Sequence, residues 1–193
     1  MRLLIFSRPY ADRVTGADVD ILQWIARHRF AAMTSFANGV MHIAGDKIAV
    51  LAIAIVCIAY VVVARRYRLA AGFVVGVVAA WAASLVLKSL FGVHRPPPSS
   101  ALVYAQGSSF PSTDAAITAA AAAAILVGAT WLTADMRRRV GWALGVVVAV
   151  VGFLLVYLGA HWPTDVLAGW LLGTIVGGGV AVVAQRFSRT FRS

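Results

Sequence analysis

The chain is poor in cysteine and in charge, and both shortages narrow what it can be. Cys57 is its single cysteine, which excludes a disulfide or a cysteine-based metal site within one chain. Charged residues make up 12% of the 193 residues, whereas hydrophobic residues make up 61%. A water-soluble core cannot absorb that much apolar surface, so a protein that crosses the membrane several times is indicated. We expect neither a metal ion nor another cofactor.

The charge that is present is unbalanced, with 17 basic against 7 acidic residues and a net charge of +10. In a soluble protein this excess would indicate binding to nucleic acid. Here the basic residues lie in short segments between apolar runs, which is the pattern that orients membrane proteins. We therefore expect contact with anionic membrane lipids and no nucleic acid partner.

Apolar runs predict an all-α bundle of six transmembrane helices, which form one membrane-embedded domain over residues 1–193. The first run begins at Asp18, which can cap a helix, and extends to about Ala44. It is weak because charged residues, Arg29 among them, occupy its first half. It fits either a span or a helix that lies in the interface, and the loop charges favour the span. Five clearer runs follow, at residues 48–64, 69–87, 115–134, 140–160 and 166–184.

Arginines cluster in three of the connecting or terminal segments. These clusters lie at residues 65–68, 137–139 and 186–192. Because basic segments stay in the cytoplasm, the lead-in at residues 1–16 and the tail at residues 186–193 are both predicted to be cytoplasmic. Alternation of six spans then places the loops at 92–112 and 160–164 on the extracytoplasmic face of the cell membrane.

Small residues recur four positions apart in several runs, as they do where transmembrane helices pack closely. The pairs are Gly72 with Gly76, Gly141 with Gly145, Gly169 with Gly173, and Gly173 with Gly177. This spacing predicts packing seams, either within the bundle or between two copies in a homodimer. A larger membrane complex is compatible with the same pattern.

The loop that follows the run at 69–87 concentrates cations and prolines. Lys88 ends the run, Arg95 follows after six intervening residues, and the prolines at 96–98 force an extended path. A lysine on the last helical turn and an arginine in a stiffened loop can converge on one anion. The simpler interpretation of Lys88 alone is a cation that stabilises a helix C-terminus and extends toward the membrane surface.

Two more polar sites adjoin apolar runs. Ser112 and Asp114 precede the run at 115–134, where a serine can cap the helix and free backbone N–H groups can hold a phosphate oxygen. Helix capping alone is the simpler interpretation there. His161 lies between the last two runs, four residues before Asp165. At that spacing the carboxylate can accept the ring N–H, which fixes the tautomer and leaves the other nitrogen free to attack.

These sites together resemble the motifs of the type 2 phosphatidic acid phosphatase superfamily, which comprises membrane lipid phosphatases, undecaprenyl diphosphate phosphatases and vanadium haloperoxidases. The first family motif, K-x6-R-P, is matched by Lys88 and Arg95. The third, S-R-x5-H-x3-D, is matched by His161 and Asp165. The second, P-S-G-H or P-S-D-H, reads P-S-T-D at residues 111–114.

The resemblance implies a role for each matched residue. His161 would be the nucleophile that forms a phosphohistidine, with Asp165 orienting it. Four residues would bind the phosphate, namely Lys88, Arg95, Ser112 and Thr113. Fixed cations and amide donors suit this task because they stabilise charge that spreads over the oxygens of a transferring phosphoryl group. The implied substrate is a lipid phosphate or a polyprenyl phosphate or diphosphate.

Three positions depart from the family pattern. Asp114 occupies the catalytic position of the histidine that protonates the leaving group, while Leu154 and Leu155 replace the serine and the phosphate-binding arginine of the third motif. A helix N-terminus and two nearby cations favour an ionised carboxylate, so Asp114 is expected to be a poor acid. It could instead pair with Arg95. His94 is a candidate replacement acid, although an ordinary loop histidine is the simpler interpretation.

Two functions are compatible with these residues. The first is a membrane phosphatase of weak or altered activity, because the nucleophile pair and the first motif are intact. The second is a catalytically inactive relative that binds lipid phosphates or serves as a subunit of a membrane complex, because the acid and one phosphate ligand are missing together.

Overall fold

The computed structural model describes residues 14–45 and 67–190 and contains, within those ranges, six α-helices and no β-strand. In chain order the helices are α1 (Gly16–Arg27), α2 (Ala31–Gly45), α3 (Tyr67–Phe91), α4 (Thr113–Gly128), α5 (Ala134–Tyr157) and α6 (Pro163–Thr190). The all-α prediction is confirmed for this part of the chain. The predicted span at 48–64 lies outside the described residues.

Three of these helices are long and apolar enough to cross a membrane. Their apolar segments are Ala70–Phe91 in α3, Ala134–Tyr157 in α5 and Pro163–Arg186 in α6. α4 is apolar as well but has only 16 residues, which gives a length of about 24 Å. These helices indicate a multi-pass membrane protein, while the count of six spans and the sides of the termini stay predictions.

The connection between α4 and α5 begins earlier than the sequence suggests. The run predicted at 115–134 ends as a helix at Gly128, because Ala129 leaves the helical conformation. Thr133 then caps α5 by accepting a hydrogen bond from the backbone N–H of Met136. The arginines at 137–139 consequently lie within the first turns of α5 and not in a loop.

The first predicted run consists of two helices. α1 begins with a capping box in which Thr15 and Asp18 exchange hydrogen bonds, so Thr15 rather than Asp18 is the N-cap. α1 ends at His28, whose backbone N–H closes the last turn, and α2 starts at Ala31. The prediction of one continuous helix over 18–44 is therefore wrong.

α1 lies across the end of the bundle that carries His161. Asp18 accepts hydrogen bonds from the backbone N–H and the hydroxyl of Thr164, where α6 begins, each at 2.9 Å. Just past the other end of α1, Arg29 donates to the carbonyl oxygen of Tyr157, where α5 ends, at 2.6 and 2.9 Å. The chain thus enters and leaves α1 at the end of the bundle that carries His161, whereas a single span over this run would start at the opposite end. Residues 14–16 therefore lie on the same side as the predicted site, so a cytoplasmic lead-in over residues 1–16 and an extracytoplasmic site cannot both hold.

α6 packs closely against α4 and α3 through a stripe of glycines. An added Cβ at Gly173 would overlap the carbonyl oxygen of Ala116, and one at Gly177 would lie 2.5 Å from the Cα atom of Ala120. A Cβ at Gly76 of α3 would lie 3.2 Å from the Cα atom of Gly177. Small residues therefore let three helices meet along one seam within the bundle, as their spacing predicts.

The glycine pair of α5 behaves differently. A Cβ at Gly141 would make an ordinary contact with Leu126 at 3.6 Å, and one at Gly145 would meet nothing within 4 Å among the described residues. These two glycines therefore form no close seam within the described bundle, although their spacing is the same.

The buried apolar core lies next to the turn that carries His161. One cluster of buried residues joins Leu22 and Ile25 of α1 to the last turns of α5 and to Trp162. Leu154 and Leu155 belong to the same cluster. The N-terminal helix thus contributes apolar as well as polar contacts to this end of the bundle.

Candidate active site

Four helix ends meet at one end of the bundle, and the two connections between them carry the predicted site. α3 and α4 flank the loop at 92–112, while α5 and α6 flank the turn at 158–162. The backbone N–H of Ser112 donates to the carbonyl oxygen of Asp165 at 2.9 Å and so joins the start of α4 to the first turn of α6. All three sequence motifs are therefore brought to one surface.

Lys88 stands on the last turn of α3 and reaches over the loop. Its ammonium group donates to the carbonyl oxygens of Ser108 and Ser109, at 2.8 and 3.2 Å. Gly92, with a φ of 59°, adopts the left-handed conformation that lets the chain turn sharply out of α3. Lys88 is half-buried, so it is held by the loop and is not the freely extended helix-end cation of the simpler interpretation.

Arg95 joins the loop to the histidine turn. Its Nη1 donates to the carbonyl oxygen of Ala160 at 2.8 Å and lies 3.3 Å from Nε2 of His161. Its Nε donates to two carbonyl oxygens of its own loop, each at 3.2 Å. Burial lowers the pKa of Arg95, and the carboxylates of Asp165 and Asp114 oppose that shift. The guanidinium group stays charged and points at the histidine ring.

His161 and Asp165 form a buried pair, with 4% and 1% of their side-chain surface exposed. Nδ1 of the ring lies 3.4 Å from Oδ2 of the carboxylate, which also accepts the backbone N–H of Trp162 at 2.8 Å. An arginine can only donate, so the contact with Arg95 makes Nε2 the acceptor and places the ring proton on Nδ1. The expected pairing is present, and the nitrogen with the lone pair faces the guanidinium group.

The surroundings of His161 favour its neutral form. Burial lowers the pKa of the ring, and the charges of Arg95 and Lys88 lower it too, whereas the hydrogen bond and the charge of Asp165 raise it. The net shift is downward. At neutral pH the ring is therefore uncharged, as a nucleophile must be.

The start of α4 adds polar groups to the same surface. Ser112 is fully buried and caps α4, with its hydroxyl oxygen accepting the backbone N–H of Ala115 at 3.4 Å. The hydroxyl of Thr113 is buried and has no hydrogen-bond partner within the described ranges. A buried hydroxyl without a partner is costly, so a ligand oxygen at this position would stabilise it.

Asp114 stands apart from the buried pair. Its side chain is exposed on the first turn of α4. Its carboxylate makes no hydrogen bond or ion pair with any residue of the described part of the chain, and its charge acts on Lys88 and Arg95 only from a distance. The alternative in which Asp114 pairs with Arg95 is therefore not what the structure shows.

The position of the family arginine lies inside the apolar core. Leu155 is 1% exposed and Leu154 is fully buried, and both share a cluster with Leu22 and Ile25 of α1. The carbonyl oxygen of Leu155 accepts the backbone N–H of Ala160 at 3.0 Å. The backbone at this position thus supports the histidine turn, while the side chain offers no donor to a phosphate.

Trp162 is a contributor that the sequence analysis missed. Its indole Nε1 donates to the carbonyl oxygen of His94 at 2.8 Å, and Trp162 is 1% exposed. This bond ties the histidine turn to the residue next to Arg95. The ring of His94 itself is exposed, and its use as a replacement acid stays a prediction.

Asp18 and Arg29 were missed as well. The sequence predicts a helix cap at Asp18 and only one charge among several of a weak span at Arg29. The signal was their spacing, because Asp18, Leu22, Ile25 and Arg29 recur at the intervals of one helix face. Two charged residues in line with two apolar core residues indicate a face that packs against polar groups at both ends.

Comparison with known proteins adds the family context. A sequence profile described as the PAP2 superfamily matches residues 69–189, which is more than half of the chain. The chain is also 41% identical over 68 residues to an undecaprenyl-diphosphatase of Sulfolobus acidocaldarius. That match covers 34% of this chain and 29% of the relative, so the chain spans less than a third of the length of the curated relative it matches.

Two crystal structures have a similar fold. Aquifex aeolicus LpxE superposes with a TM-score of 0.68 at 17% identity, over 96% of this chain and 99% of that one. A PAP2 type phosphatidylglycerolphosphate phosphatase from Bacillus subtilis superposes with a TM-score of 0.61 at 22% identity, over 90% and 85% of the two chains. At these identities the likeness concerns the fold alone.

Proposed function

We propose, because this chain belongs to the PAP2 superfamily, that it is a membrane phosphatase that acts on a lipid phosphate or a polyprenyl diphosphate through a phosphohistidine at His161. The family match confirms the resemblance noted in the sequence motifs. The observation that carries the proposal is the row formed by the half-buried Arg95 and the buried His161 and Asp165, with contacts of 3.3 and 3.4 Å. It presents a neutral, oriented nucleophile beside a fixed cation, which is what phosphoryl transfer to a histidine requires.

The reaction proceeds in two displacements. In the first, the lone pair on Nε2 of His161 forms a bond to phosphorus, and the P–O bond to the lipid breaks with its electron pair on the lipid oxygen. Asp165 keeps the proton on Nδ1 and stabilises the positive charge that develops on the ring. In the second, water attacks phosphorus, the P–N bond breaks, and inorganic phosphate leaves. The lipid oxygen takes its proton from solvent or from an acid.

The phosphate is held by groups that now bind the protein's own backbone. Lys88 and Arg95 donate to carbonyl oxygens, and a charged phosphate oxygen is a stronger acceptor than a neutral carbonyl. The start of α4 adds the hydroxyl of Ser112, the backbone N–H of Thr113 and the unpartnered hydroxyl of Thr113, since the backbone N–H of Ser112 is already bound to Asp165. We propose that these donors hold the phosphate while Nε2 of His161 attacks it.

The leaving group bears on the choice of substrate. A lipid alkoxide is about as basic as hydroxide, whose parent water has a pKa of about 15.7, and its departure needs a proton donor. A phosphate monoester released from a diphosphate has a second pKa of about 6 and leaves as an anion. The exposed carboxylate of Asp114 at a helix N-terminus is a poor proton donor, so we propose that diphosphates react faster than monophosphates.

A catalytically inactive lipid-phosphate binder is the second candidate function. It is favoured by Leu155, because the arginine position of the third motif lies in the apolar core and is 1% exposed. Such a protein would bind phosphate through Lys88 and Arg95 without turnover. It could serve as a subunit of a larger membrane complex.

The site is proposed to face the extracytoplasmic side of the cell membrane. The arginines at 137–139 and Arg186 lie at the end of the bundle opposite to His161, as the positive-inside rule requires for a site outside. In a chain with Cys57 replaced by serine, Tyr104→Cys in the 87% exposed loop position should react with a membrane-impermeant maleimide in intact cells. Arg138→Cys should react only after lysis, and the reverse pattern would place the site in the cytoplasm.

The phosphatase is tested by phosphate release from purified protein. His161→Ala should abolish release from a polyprenyl diphosphate and from a lipid monophosphate, whereas His42→Ala, at an exposed position of α2, should leave it unchanged. A substrate labelled at its terminal phosphate should give a protein-bound label that acid removes and base does not, in the wild type and in His42→Ala but not in His161→Ala. Equal background release from both variants and the wild type, with retained binding of the lipid, would establish the second candidate.

A further inference from the structure

Both ends of the turn that carries His161 are fastened by the same helix. Arg29, just past the end of α1, holds the carbonyl oxygen of Tyr157 where the turn begins. Asp18, in the first turn of α1, holds Thr164 where the turn ends. We propose that α1 is a brace for the nucleophile, in which Asp18 and Arg29 are positioning residues, an inference that rests on the phosphatase proposed above.

The first anchor of the brace, the contact between Asp18 and Thr164, is buried and fully hydrogen-bonded. Its carboxylate is 1% exposed, and a buried carboxylate is costly unless it is fully hydrogen-bonded. Both oxygens are satisfied, two bonds coming from Thr15 at 2.8 and 3.1 Å and two from Thr164 at 2.9 Å. Because Thr164 immediately precedes Asp165, any displacement of this anchor moves the carboxylate that orients His161.

The Arg29 anchor acts on the other end of the turn. Its Nε and Nη2 both donate to Tyr157, and Nη2 also donates to the carbonyl oxygen of Ser100 at 2.9 Å. The guanidinium carbon lies 5.7 Å from the centre of the Tyr157 ring, within range of a cation–π contact. A cation at the C-terminus of α5 is also favourable for the helix dipole. Arg29 thereby fixes the end of α5 and the loop at 92–112 together.

Apolar contacts complete the brace between its two charged ends. Leu22 and Ile25 lie on the same face of α1 as Asp18, are 1% and 8% exposed, and share a cluster with Leu155. An arginine at position 155 would bring a charge into this cluster. The apolar side chain there therefore suits a chain in which α1 packs against the histidine turn.

The brace affects chemistry through the burial of His161. The ring is 3% exposed, and the charged groups that face it are Arg95 from the loop, Lys88 from α3 and Asp165 from α6. Burial is the largest cause of its lowered pKa. If an anchor is lost, water reaches the ring and its pKa moves back up toward the ordinary value of 6.5.

Histidine labelling tests the brace without relying on turnover. The chain has four histidines, and the three other than His161 are exposed. Diethyl pyrocarbonate followed by peptide mass spectrometry should therefore label His161 slowly in the wild type and the others quickly. Asp18→Asn and Arg29→Gln should each raise the labelling rate of His161 by about tenfold, because each loses buried hydrogen bonds that close the turn, while the other three rates stay constant.

Two matched controls lie on the same helix. Asp20→Asn and Arg27→Gln make the same chemical changes at exposed positions of α1 and should leave the labelling of His161 unchanged. Thr164→Val is a milder variant in case Asp18→Asn does not fold, because it removes one of the two bonds to Asp18 and keeps the volume. An unchanged rate at His161 in Arg29→Gln and Thr164→Val overturns the brace.

Kinetic measurements distinguish the positioning role of α1 from the phosphatase activity on which that role rests. With an active wild type, loss of an anchor should lower kcat more than it raises KM and should move the acid limb of the pH–rate profile upward toward pH 6.5. Protection of His161 that depends on the anchors, in a protein without any turnover, would support the brace and refute the phosphatase. Turnover in a protein whose His161 labelling rate is unchanged by Asp18→Asn and Arg29→Gln would support the phosphatase and refute the brace.

Discussion

The histidine turn and the start of α4 share one surface, yet the two regions are built very differently. In the turn, His161 and Asp165 are almost fully buried and each contacts a defined partner, although Oδ1 of Asp165 has none among the described residues. At the start of α4, Asp114 is exposed and the Thr113 hydroxyl lacks a partner within the described ranges. Under the proposed function, the half of the site that would form the covalent bond keeps the residues of the family motif, whereas the half that would serve the leaving group departs from it.

Under the proposed mechanism, the group that protonates the leaving group can therefore be lost while the nucleophile is kept. A nucleophile needs a buried and oriented ring, and it is maintained by packing from four different elements. A proton donor for the leaving group is a single side chain at a helix start, so one substitution removes it and leaves the fold intact. A substrate with a good leaving group makes that loss tolerable.

The largest effect is expected when an arginine replaces Leu155, at the position where the family motif has one. Leu155→Arg should lower the stability of the protein by about 3–5 kcal/mol, the cost of an unpaired buried charge, and should not raise activity. Thermal unfolding in detergent measures the loss, with Leu155→Met as the control of similar volume. A stable and more active Leu155→Arg protein would show that this side chain can reach the phosphate without disturbing the core.

The contact between the loop and the turn is the next target. Arg95→Gln removes the cation beside Nε2 of His161, and loss of one donor that stabilises the transferring group costs about 10²–10³-fold in rate. The measurement is kcat/KM for phosphate release. Arg139→Gln, at an exposed position of α5 far from the site, serves as the control and should retain full activity.

The start of α4 can be changed toward a proton donor. Asp114→His should raise kcat/KM for a lipid monophosphate by about 10²-fold, which is the lower range for general acid catalysis, and should change the rate for a diphosphate much less. The pH–rate profile for the monophosphate should also gain a basic limb. Equal gains for both substrates would mean that proton donation to the leaving group does not limit the wild type.

The close contact between α4 and α6 links the start of α4 to the helix that follows the histidine turn. A Cβ at Gly169 would lie 2.5 Å from the carbonyl oxygen of Ser112, so Gly169→Ala should push the start of α4 away and destabilise the protein by about 1–3 kcal/mol. Gly179→Ala in the same helix meets nothing within 4 Å among the described residues. It should be neutral or slightly stabilising, since alanine favours helix. Equal unfolding temperatures of the two variants would contradict the seam.

The smallest expected effect is in the pH dependence of the turn. The pKa of His161 is lowered from 6.5, mainly by burial, so activity should persist as the pH falls through 6.5 and decline only below it. Because the unfolded chain takes up the proton first, the stability contributed by this residue is lost as the pH falls below 6.5. An acid limb at or above pH 6.5 would mean that the ring is exposed to water.

Residues with a chemical signature at fixed spacing were predictable, and contacts between distant segments were not. The four-residue spacing of His161 and Asp165 predicts that their side chains pair. The four-residue spacing of the glycines in α6 predicts a close contact between helices. Nothing in the sequence near Asp18 names Thr164 as its partner, because that contact depends on where α1 lies. The exposure of Asp114 and the burial of Leu155 likewise follow from helix rotation and packing, which hydropathy alone does not fix.

The boundary errors have physical causes as well. Composition predicts one helix over 18–44, yet the helix is interrupted between Arg27 and Ala31, where Arg29 donates to the carbonyl oxygen of Tyr157. α4 was expected to reach position 134 on apolar content, yet Thr133 caps the following helix. In both places a residue of the break makes a polar contact, at a boundary that composition does not predict.

The contact between Asp18 and Thr164 also bears on where the working unit of this protein begins. The profile that identifies the family starts at residue 69, but a partner that closes the His161 turn lies 51 positions earlier in the chain. A fragment cut at the profile boundary would carry every recognisable motif and still lack part of the turn's support. Chimeras made with relatives should therefore exchange the first thirty residues together with the motif-bearing helices, as one segment.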